Sequence, residues 1–219
     1  MLTLINAGLG RTGTTSLKAA LDRLDVGPSF HMFDIVGDGE RLRQWEKVVC
    51  DGEHPDWAAL FAGYRAAVDG PCALYYRQLS QAFPDAKVVL TVRDADSWYR
   101  STHDTLYQFA LRSMASAPEP GSAQARLLRI TRAMVWDGLF GGRFADKDHA
   151  IDVYHRHNED VVRVMGADNV LVYDVQQGWE PLCAFLGVDV PREAFPRTND
   201  TASMRQRIAH AAGAAGATG

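Results

Sequence analysis

The stretch GLGRTGTTS, from Gly8 to Ser16, directly follows the short apolar run LTLINA, from Leu2 to Ala7. The apolar run predicts a short buried strand, and a helix is expected over Thr14–Leu24 because apolar residues recur there at helical spacing. A strand, a glycine-rich turn and a helix in this order let successive backbone N–H groups converge on a phosphate-like anion. The hydroxyls in the turn would add donors; they belong to Thr12, Thr14, Thr15 and Ser16. The stretch therefore predicts an anion-binding loop.

This loop lacks one residue of an ATP- or GTP-binding loop. The frame G-x-x-x-x-G runs from Gly8 to Gly13, but Thr14 stands where such loops place Lys. The cation is found instead at Arg11, two residues before Gly13. A γ-phosphate is usually held by the loop Lys together with Mg²⁺, whereas a sulfuryl group carries less charge and needs only a fixed cation and backbone amides. The plain alternative is a tight turn between a strand and a helix.

The composition favours one globular domain and argues against nucleic-acid and membrane proteins. The chain has 219 residues and a formal net charge of −4, whereas general nucleic-acid binders carry a basic surplus. No apolar run approaches the roughly 20 residues that span a bilayer. No charged segment precedes the first apolar run, so no signal peptide is predicted and the cytoplasm is the expected compartment. The three cysteines form no C-x-x-C pair, and buried free thiols are expected.

Strand and helix patterns alternate along the rest of the chain. Strands are expected over Lys87–Val92, Asn169–Tyr173 and, more briefly, near Pro71–Leu74. The helical patterns between them cover Glu40–Val49, Trp57–Ala67, Ser122–Leu139 and Asp148–Met165. This alternation predicts a three-layer α/β/α fold with a mostly parallel sheet, as a single domain over residues 1–208 with a disordered tail over 209–219. Ligands of such sheets bind at the carboxyl ends of the strands, where the loop and Arg93 are both expected.

Several segments in combination resemble the sulfotransferase superfamily. They include GLGRTGTTSLKAAL at the loop, FHM at Phe30–Met32 and KVVLTVRDADSWYRS at Lys87–Ser101. The loop is similar in particular to the bacterial-type branch, whose members begin G-x-G-R-T-G-T-x-S-L. The segments DWAALFAGYRAAVDGP and GWEPLCAFLGVDVPREAFPRTND extend the resemblance over nearly the whole chain.

The resemblance implies that the sulfuryl donor is 3′-phosphoadenosine 5′-phosphosulfate, that the product is 3′,5′-adenosine bisphosphate and that no metal is required. Arg11 lies where relatives have a cation, often Lys, that contacts the bridging oxygen and the sulfuryl group. Arg93 and Ser101 match the family's 3′-phosphate motif, and a fixed guanidinium at a strand end suits a phosphate in any case. The plain alternative is a surface ion pair beside a solvated Ser. The donor-binding residues implied at the loop are Gly10, Arg11, Thr12, Gly13, Thr14, Thr15 and Ser16.

Transfer to a hydroxyl or an amine requires a group that removes the acceptor's proton. His31 is the first candidate, because the bacterial-type branch has a similar H-M there and a second strand could return toward the loop at this point. Asp69 is the second candidate, although D-G-P is also a plain turn. His103 is expected near the nucleotide or in solvent. His155 and His157 are interpreted as a polar helix face, with a metal site as the minor alternative.

The acceptor is expected to be a small molecule, contacted by aromatic residues such as Tyr75 and Tyr76, with Arg77 beside them. The sequence indicates no oligomeric state. Arg205 and Arg207 either close over the nucleotide or lie solvated on the tail. Two other functions stay open: a P-loop kinase or NTPase with a relocated cation, and a nucleotide-binding module without catalysis.

Overall fold

A five-stranded parallel sheet forms the centre of the fold in the computed structural model, which describes residues 1–198. Its strands follow the spatial order β2-β3-β1-β4-β5, and every neighbouring pair is parallel. Helices flank the sheet, which confirms the predicted three-layer α/β/α class. The strands are β1 (Leu4–Asn6), β2 (Ser29–Phe30), β3 (Ala66–Ala67), β4 (Lys87–Thr91) and β5 (Val170–Tyr173).

The helices vary from one turn to more than five turns in length. Two wider-wound helical segments, His103–Tyr107 and Arg132–Leu139, follow α6 and α8 respectively. No helix within residues 1–198 is long and apolar enough to cross a membrane. The helices are α1 (Thr14–Arg23), α2 (Met32–Val36), α3 (Gly39–Cys50), α4 (Trp57–Leu60), α5 (Tyr76–Ala82), α6 (Ala95–Thr102), α7 (Gln108–Ala115), α8 (Ala123–Thr131), α9 (Lys147–Met165) and α10 (Trp179–Leu186).

The described residues group into two compact units. The first contains residues 1–32, 56–95 and 154–198, and the second contains residues 33–55 and 96–153. All five strands belong to the first unit. The single domain over 1–208 stays a prediction. The predicted tail, together with Arg205 and Arg207, lies outside the described residues.

The core of the first unit joins α1 and α10 to the central strands. Leu17 and Leu21 of α1 and Leu182 of α10 are fully buried in one cluster with Leu4 and Val89 of the sheet. Each fully buried side chain of this kind contributes about 1.5–3 kcal/mol. This packing holds α1, which directly follows the loop, against the sheet.

In the second unit, α3 and α8 are joined through a buried carboxylate. The Glu46 side chain pairs with Arg126 and Arg129, and its Oε1 lies 2.7 Å from Arg129 Nη1. Because both carboxylate oxygens are paired, the burial of this charge is compensated.

Two predicted elements between β2 and α5 are wrong. The helix predicted over Trp57–Ala67 ends at Leu60, because Gly63 turns the chain with a φ of +86° and Ala66–Ala67 pair with β1 and β2 instead. The strand predicted near Pro71–Leu74 is a turn in which Ala73 N–H donates to the Asp69 carbonyl over 3.0 Å. Elsewhere β1, β4, β5 and α9 lie within two residues of the predicted bounds.

Candidate functional site

The loop between β1 and α1 passes so close to its neighbours that two positions require glycine. A Cβ on Gly8 would lie 2.1 Å from Thr91 Oγ1 and 2.4 Å from the Thr91 carbonyl oxygen. Gly13 has a φ of +102°, and a Cβ there would meet a methyl group of Val175 at 2.6 Å. Both contacts are far inside van der Waals distance. The loop is therefore held tightly against the end of β4 and the turn that follows β5.

A series of buried hydrogen bonds connects the loop to the ends of β1 and β4. Asn6 Nδ2 donates to Thr91 Oγ1 over 3.1 Å, and Thr91 Oγ1 lies 2.6 Å from Thr12 Oγ1. Thr12 in turn donates to the Leu9 carbonyl over 2.6 Å. Since the Thr12 proton is used at Leu9, Thr91 is the donor between the two hydroxyls. The Thr12 hydroxyl thus maintains the shape of the loop.

Arg11 and Asp69 share an unusual backbone conformation. Arg11 has a φ of +74° with only 3% of its surface exposed, and Asp69 has a φ of +70°. Within residues 1–198 the other non-glycine residues with positive φ are Asp25 and Ala117. Left-handed backbone costs a non-glycine residue roughly 1–2 kcal/mol, and such strain concentrates at functional sites. Two of the three residues predicted to be catalytic adopt it.

The three hydroxyls at the start of α1 have different environments. Thr14 Oγ1 donates to Asp69 Oδ1 over 3.2 Å, whereas Ser16 Oγ accepts from the Thr198 N–H over 3.2 Å. Thr15 Oγ1 is buried and has no hydrogen-bond partner among residues 1–198. An unpaired buried hydroxyl costs about 1–3 kcal/mol. An anion bound at the amino end of α1 would remove that cost.

The sheet order brings both candidate bases to the loop. β2 ends at Phe30 immediately before His31, and β3 ends two residues before Asp69. Because β2, β3 and β1 are parallel neighbours, their carboxyl ends meet at one edge. His31 Nδ1 lies 3.5 Å from Asp69 Oδ2, and the two side chains are 2% and 15% exposed. Loop, imidazole and carboxylate thus form one cluster.

Arg93 lies at the carboxyl end of β4, as the sequence predicted. Its backbone is held by Tyr154 of α9, whose hydroxyl accepts from the Arg93 N–H over 2.9 Å and donates to the Arg93 carbonyl over 3.0 Å. Burial raises the pKa of Tyr154, so this hydroxyl keeps its proton. The Arg93 guanidinium has no hydrogen-bond or ion-pair partner among residues 1–198. A half-buried cation in this state is suited to an anionic ligand.

Ser101 and His103 belong to the second unit. Ser101 is buried in α6, and its partnership with Arg93 stays a prediction from the sequence. The His103 ring stacks on Tyr99, and its Nδ1 lies 2.9 Å from Asp104 Oδ1.

His157 is not part of a polar helix face, which corrects the sequence interpretation. Its Nε2 donates to the Ala7 carbonyl over 2.8 Å, immediately before the loop, and burial lowers its pKa. His155, two residues earlier, is exposed. No group of three or more His, Cys, Asp or Glu side chains in residues 1–198 is placed to hold a metal.

Two residues expected near the acceptor are bound to α9. The Tyr76 hydroxyl donates to Asp160 Oδ2 over 2.6 Å, and Arg77 forms an ion pair with the same carboxylate. These partners hold the Asp160 pKa at about 2. Tyr76 and Arg77 therefore connect α5 to α9.

The amino-acid sequence matches a family model whose description is "Sulfotransferase domain", over residues 3–204. The chain belongs to this sulfotransferase family. A relative, Ava biosynthesis cluster protein M of Aspergillus versicolor, is 29% identical over 203 residues, covering 86% of this chain and 77% of that protein. The matched region contains the loop, His31, Asp69 and Arg93.

The sequence patterns did not place several residues that shape the candidate site. Asn6 was detectable as the polar residue in an otherwise apolar strand, and Thr91 as the hydroxyl at the end of β4. Tyr154, His157 and Asp160 recur every three residues along one face of α9, a spacing that could have marked them. What each one contacts depends on the tertiary fold.

Proposed function

We propose that this chain transfers a sulfuryl group from 3′-phosphoadenosine 5′-phosphosulfate to a hydroxyl, in preference to an amine, of a small-molecule acceptor. Arg11 is the observation that carries the proposal: a buried cation within the glycine loop of a sulfotransferase-family chain that lacks the Lys of ATP-binding loops. The GxGRTGTxSL loop also supports placing the chain in the bacterial-type branch. The proposed location is the cytoplasm.

The loop offers the groups that a phosphosulfate requires. The backbone N–H groups at the start of α1 and the unpaired Thr15 hydroxyl are donors for the sulfuryl and 5′-phosphate oxygens. Arg11 supplies the positive charge that stabilises the departing phosphate. Arg93 supplies a second cation for the 3′-phosphate. No step in this scheme requires a metal.

The reaction is a direct transfer between two oxygen atoms. The acceptor oxygen forms a bond to sulfur while the bond from sulfur to the bridging oxygen breaks. The electron pair of the broken bond goes to the 5′-phosphate of the leaving 3′,5′-adenosine bisphosphate. His31, or failing that Asp69, takes the acceptor's proton, a role that contributes typically 10²- to 10⁴-fold to the rate.

The relative supports a small-molecule acceptor. That fungal protein is named for a biosynthesis cluster. The acceptor should be sought in a panel of phenols, sugars, lipids and natural-product scaffolds.

Calorimetry with 3′,5′-adenosine bisphosphate tests the proposal. We expect binding that persists in EDTA and weakens at least tenfold in Arg93→Ala, because a phosphate contact of Arg is lost. Arg163→Ala is the matched control, since Arg163 is 73% exposed and its ion-pair partner within residues 1–198 is Asp160, on its own helix. Its affinity should stay at the wild-type value.

Two results would replace the proposal by an alternative. A preference for ATP with Mg²⁺ over the bisphosphate would indicate a kinase or an NTPase. Bisphosphate binding without sulfuryl transfer to any acceptor of the panel, or to water, would indicate a nucleotide-binding module without catalysis.

A further inference from the structure

The geometry points to Asp69 as a positioning residue that orients His31 as the base and ties it, through Thr14, to the donor loop. This inference rests on the proposed function. The two candidate bases then have different roles. His31 takes the acceptor's proton, and Asp69 keeps the imidazole in the tautomer that has its proton on Nδ1.

The Asp69 carboxylate is occupied on both sides. Oδ1 accepts from the Thr14 hydroxyl at 3.2 Å, and Oδ2 faces His31 Nδ1 at 3.5 Å. Asp69 holds this position with a left-handed backbone, φ +70°, which carries a conformational cost. A carboxylate that lies between the Thr14 hydroxyl and the His31 ring can accept hydrogen bonds from both and so orient them.

The position of Asp69 determines which nitrogen of His31 carries the proton. A carboxylate accepts hydrogen bonds only, so the imidazole nitrogen that faces it is the protonated one. Nδ1–H therefore points at Asp69 and Nε2 holds the lone pair. During transfer, Nε2 would take the acceptor's proton, and Asp69 would stabilise the resulting imidazolium until that proton passes to water.

Thr14 connects this pair to the donor site. Thr14 is the first residue of α1, directly after Gly13, and its hydroxyl proton is directed to Asp69. Its backbone N–H, and not its hydroxyl, is then the group offered to the donor. Any displacement of the start of α1 therefore also displaces the carboxylate that orients His31.

Side-chain ¹⁵N NMR of the full chain tests this assignment without an acceptor. His31 is identified by the signal that disappears in His31→Gln. In the wild type at neutral to mildly basic pH we expect the Nδ1–H tautomer. Asp69→Asn should shift the population toward Nε2–H, because the amide NH₂ can face Nδ1. Thr14→Val should shift it partly, and Thr14→Ser should regain most of what Thr14→Val loses.

Kinetics and a matched aspartate complete the test. Bisphosphate release from the donor, with water or 2-naphthol as acceptor, should fall about 10²-fold in Asp69→Asn, while the bisphosphate Kd stays within about threefold. Asp22→Asn is the control, because Asp22 also bonds two partners, Ser29 Oγ at 3.1 Å and Lys18 Nζ at 3.1 Å. This control should leave the His31 tautomer unchanged.

Three results would overturn the inference. The first is a wild-type His31 with its proton on Nε2. The second is full turnover in His31→Gln combined with none in Asp69→Asn, which would make Asp69 the base. The third is a tenfold weaker bisphosphate Kd in Thr14→Val with an unchanged tautomer, which would assign the hydroxyl to the donor. Failure of the proposed function would look different, since the wild type itself would then neither bind the bisphosphate nor release it from the donor.

Discussion

At the residue scale, the loop depends on the absence of one side chain at Gly8. A Cβ there would lie 2.1 Å from Thr91 Oγ1 and 2.4 Å from a carbonyl oxygen, and backbone cannot move aside cheaply. Thr91 also bonds to Asn6 and Thr12, so a displaced Thr91 would loosen the whole hydrogen-bonded support of the loop.

Gly8→Ala should therefore destabilise the protein by about 3 kcal/mol, the upper part of the range for overpacking. Urea unfolding measures this. Gly39→Ala is the matched control, because Gly39 lies in the first turn of α3 and a Cβ there would meet only the end of Arg43, at 3.7 Å. Alanine should be neutral or slightly stabilising at this position. If both substitutions change the free energy of unfolding equally, the close contact of Gly8 with Thr91 is not what limits the residue at this position.

At the element scale, α9 holds three segments at or near the carboxyl edge of the sheet, through residues three apart along the helix. Tyr154 holds the backbone of Arg93, His157 holds the carbonyl of Ala7 and Asp160 holds Tyr76. The contacts to Arg93 and to Ala7 hold the two segments that carry the predicted anion-binding groups. The helix therefore fixes the spacing between the loop and Arg93.

His157 should give the folding free energy a dependence on pH. Burial lowers its pKa below the ordinary 6.5, so the unfolded state binds a proton more readily. Its contribution is fully present above pH 6.5 and is lost as the pH falls toward the folded-state pKa, by up to about 1.4 kcal/mol per pH unit. The Asp160 carboxylate acts on the His157 ring electrostatically, and the Tyr76 ring packs against it.

Urea unfolding at pH 8 and pH 5.5 checks this. His157→Gln, which keeps an N–H donor for Ala7, should reduce the pH dependence, and His157→Leu should cost about 1–3 kcal/mol at both pH values because the Ala7 carbonyl loses its partner. The exposed neighbour supplies the control, since His155→Gln should retain the wild-type dependence. If the unfolding free energy of His157→Gln depends on pH as strongly as that of the wild type, His157 is not the group responsible.

At the scale of the whole molecule, the sequence predicted the elements with strong periodicity and missed those defined by their neighbours. The loop, β4, β5 and α9 have clear apolar patterns or glycine signals. By contrast, β2 and β3 are two residues long and exist because they pair in series with β1. No local pattern of Ala66 and Ala67 distinguishes such a strand from a helix.

The same limit applies to the candidate site. Arg11, Arg93 and the base candidates could be named from residue type and position along the chain. His31 Nδ1 and Asp69 Oδ2 lie 3.5 Å apart because the sheet order is β2-β3-β1. No local sequence pattern predicts that order. The partners of the Thr12 and Thr14 hydroxyls, Thr91 and Asp69, are likewise distant in sequence.

Arg11 is the cation that stands in for the loop Lys. If Arg11 stabilises the charge that develops on the leaving phosphate, its removal should affect transfer far more than binding. Arg11→Lys keeps the charge, and Arg11→Ala keeps a residue with a Cβ at the same left-handed position, so backbone strain is similar in both.

The most direct test is to measure bisphosphate affinity and sulfuryl transfer in Arg11→Ala side by side. We predict a bisphosphate Kd within about tenfold of the wild type and a rate of bisphosphate release from the donor reduced by 10²-fold or more, as is typical when one transition-state contact is lost. Arg11→Lys should recover part of that rate. Full transfer activity in Arg11→Ala would show that Arg11 does not stabilise the leaving phosphate.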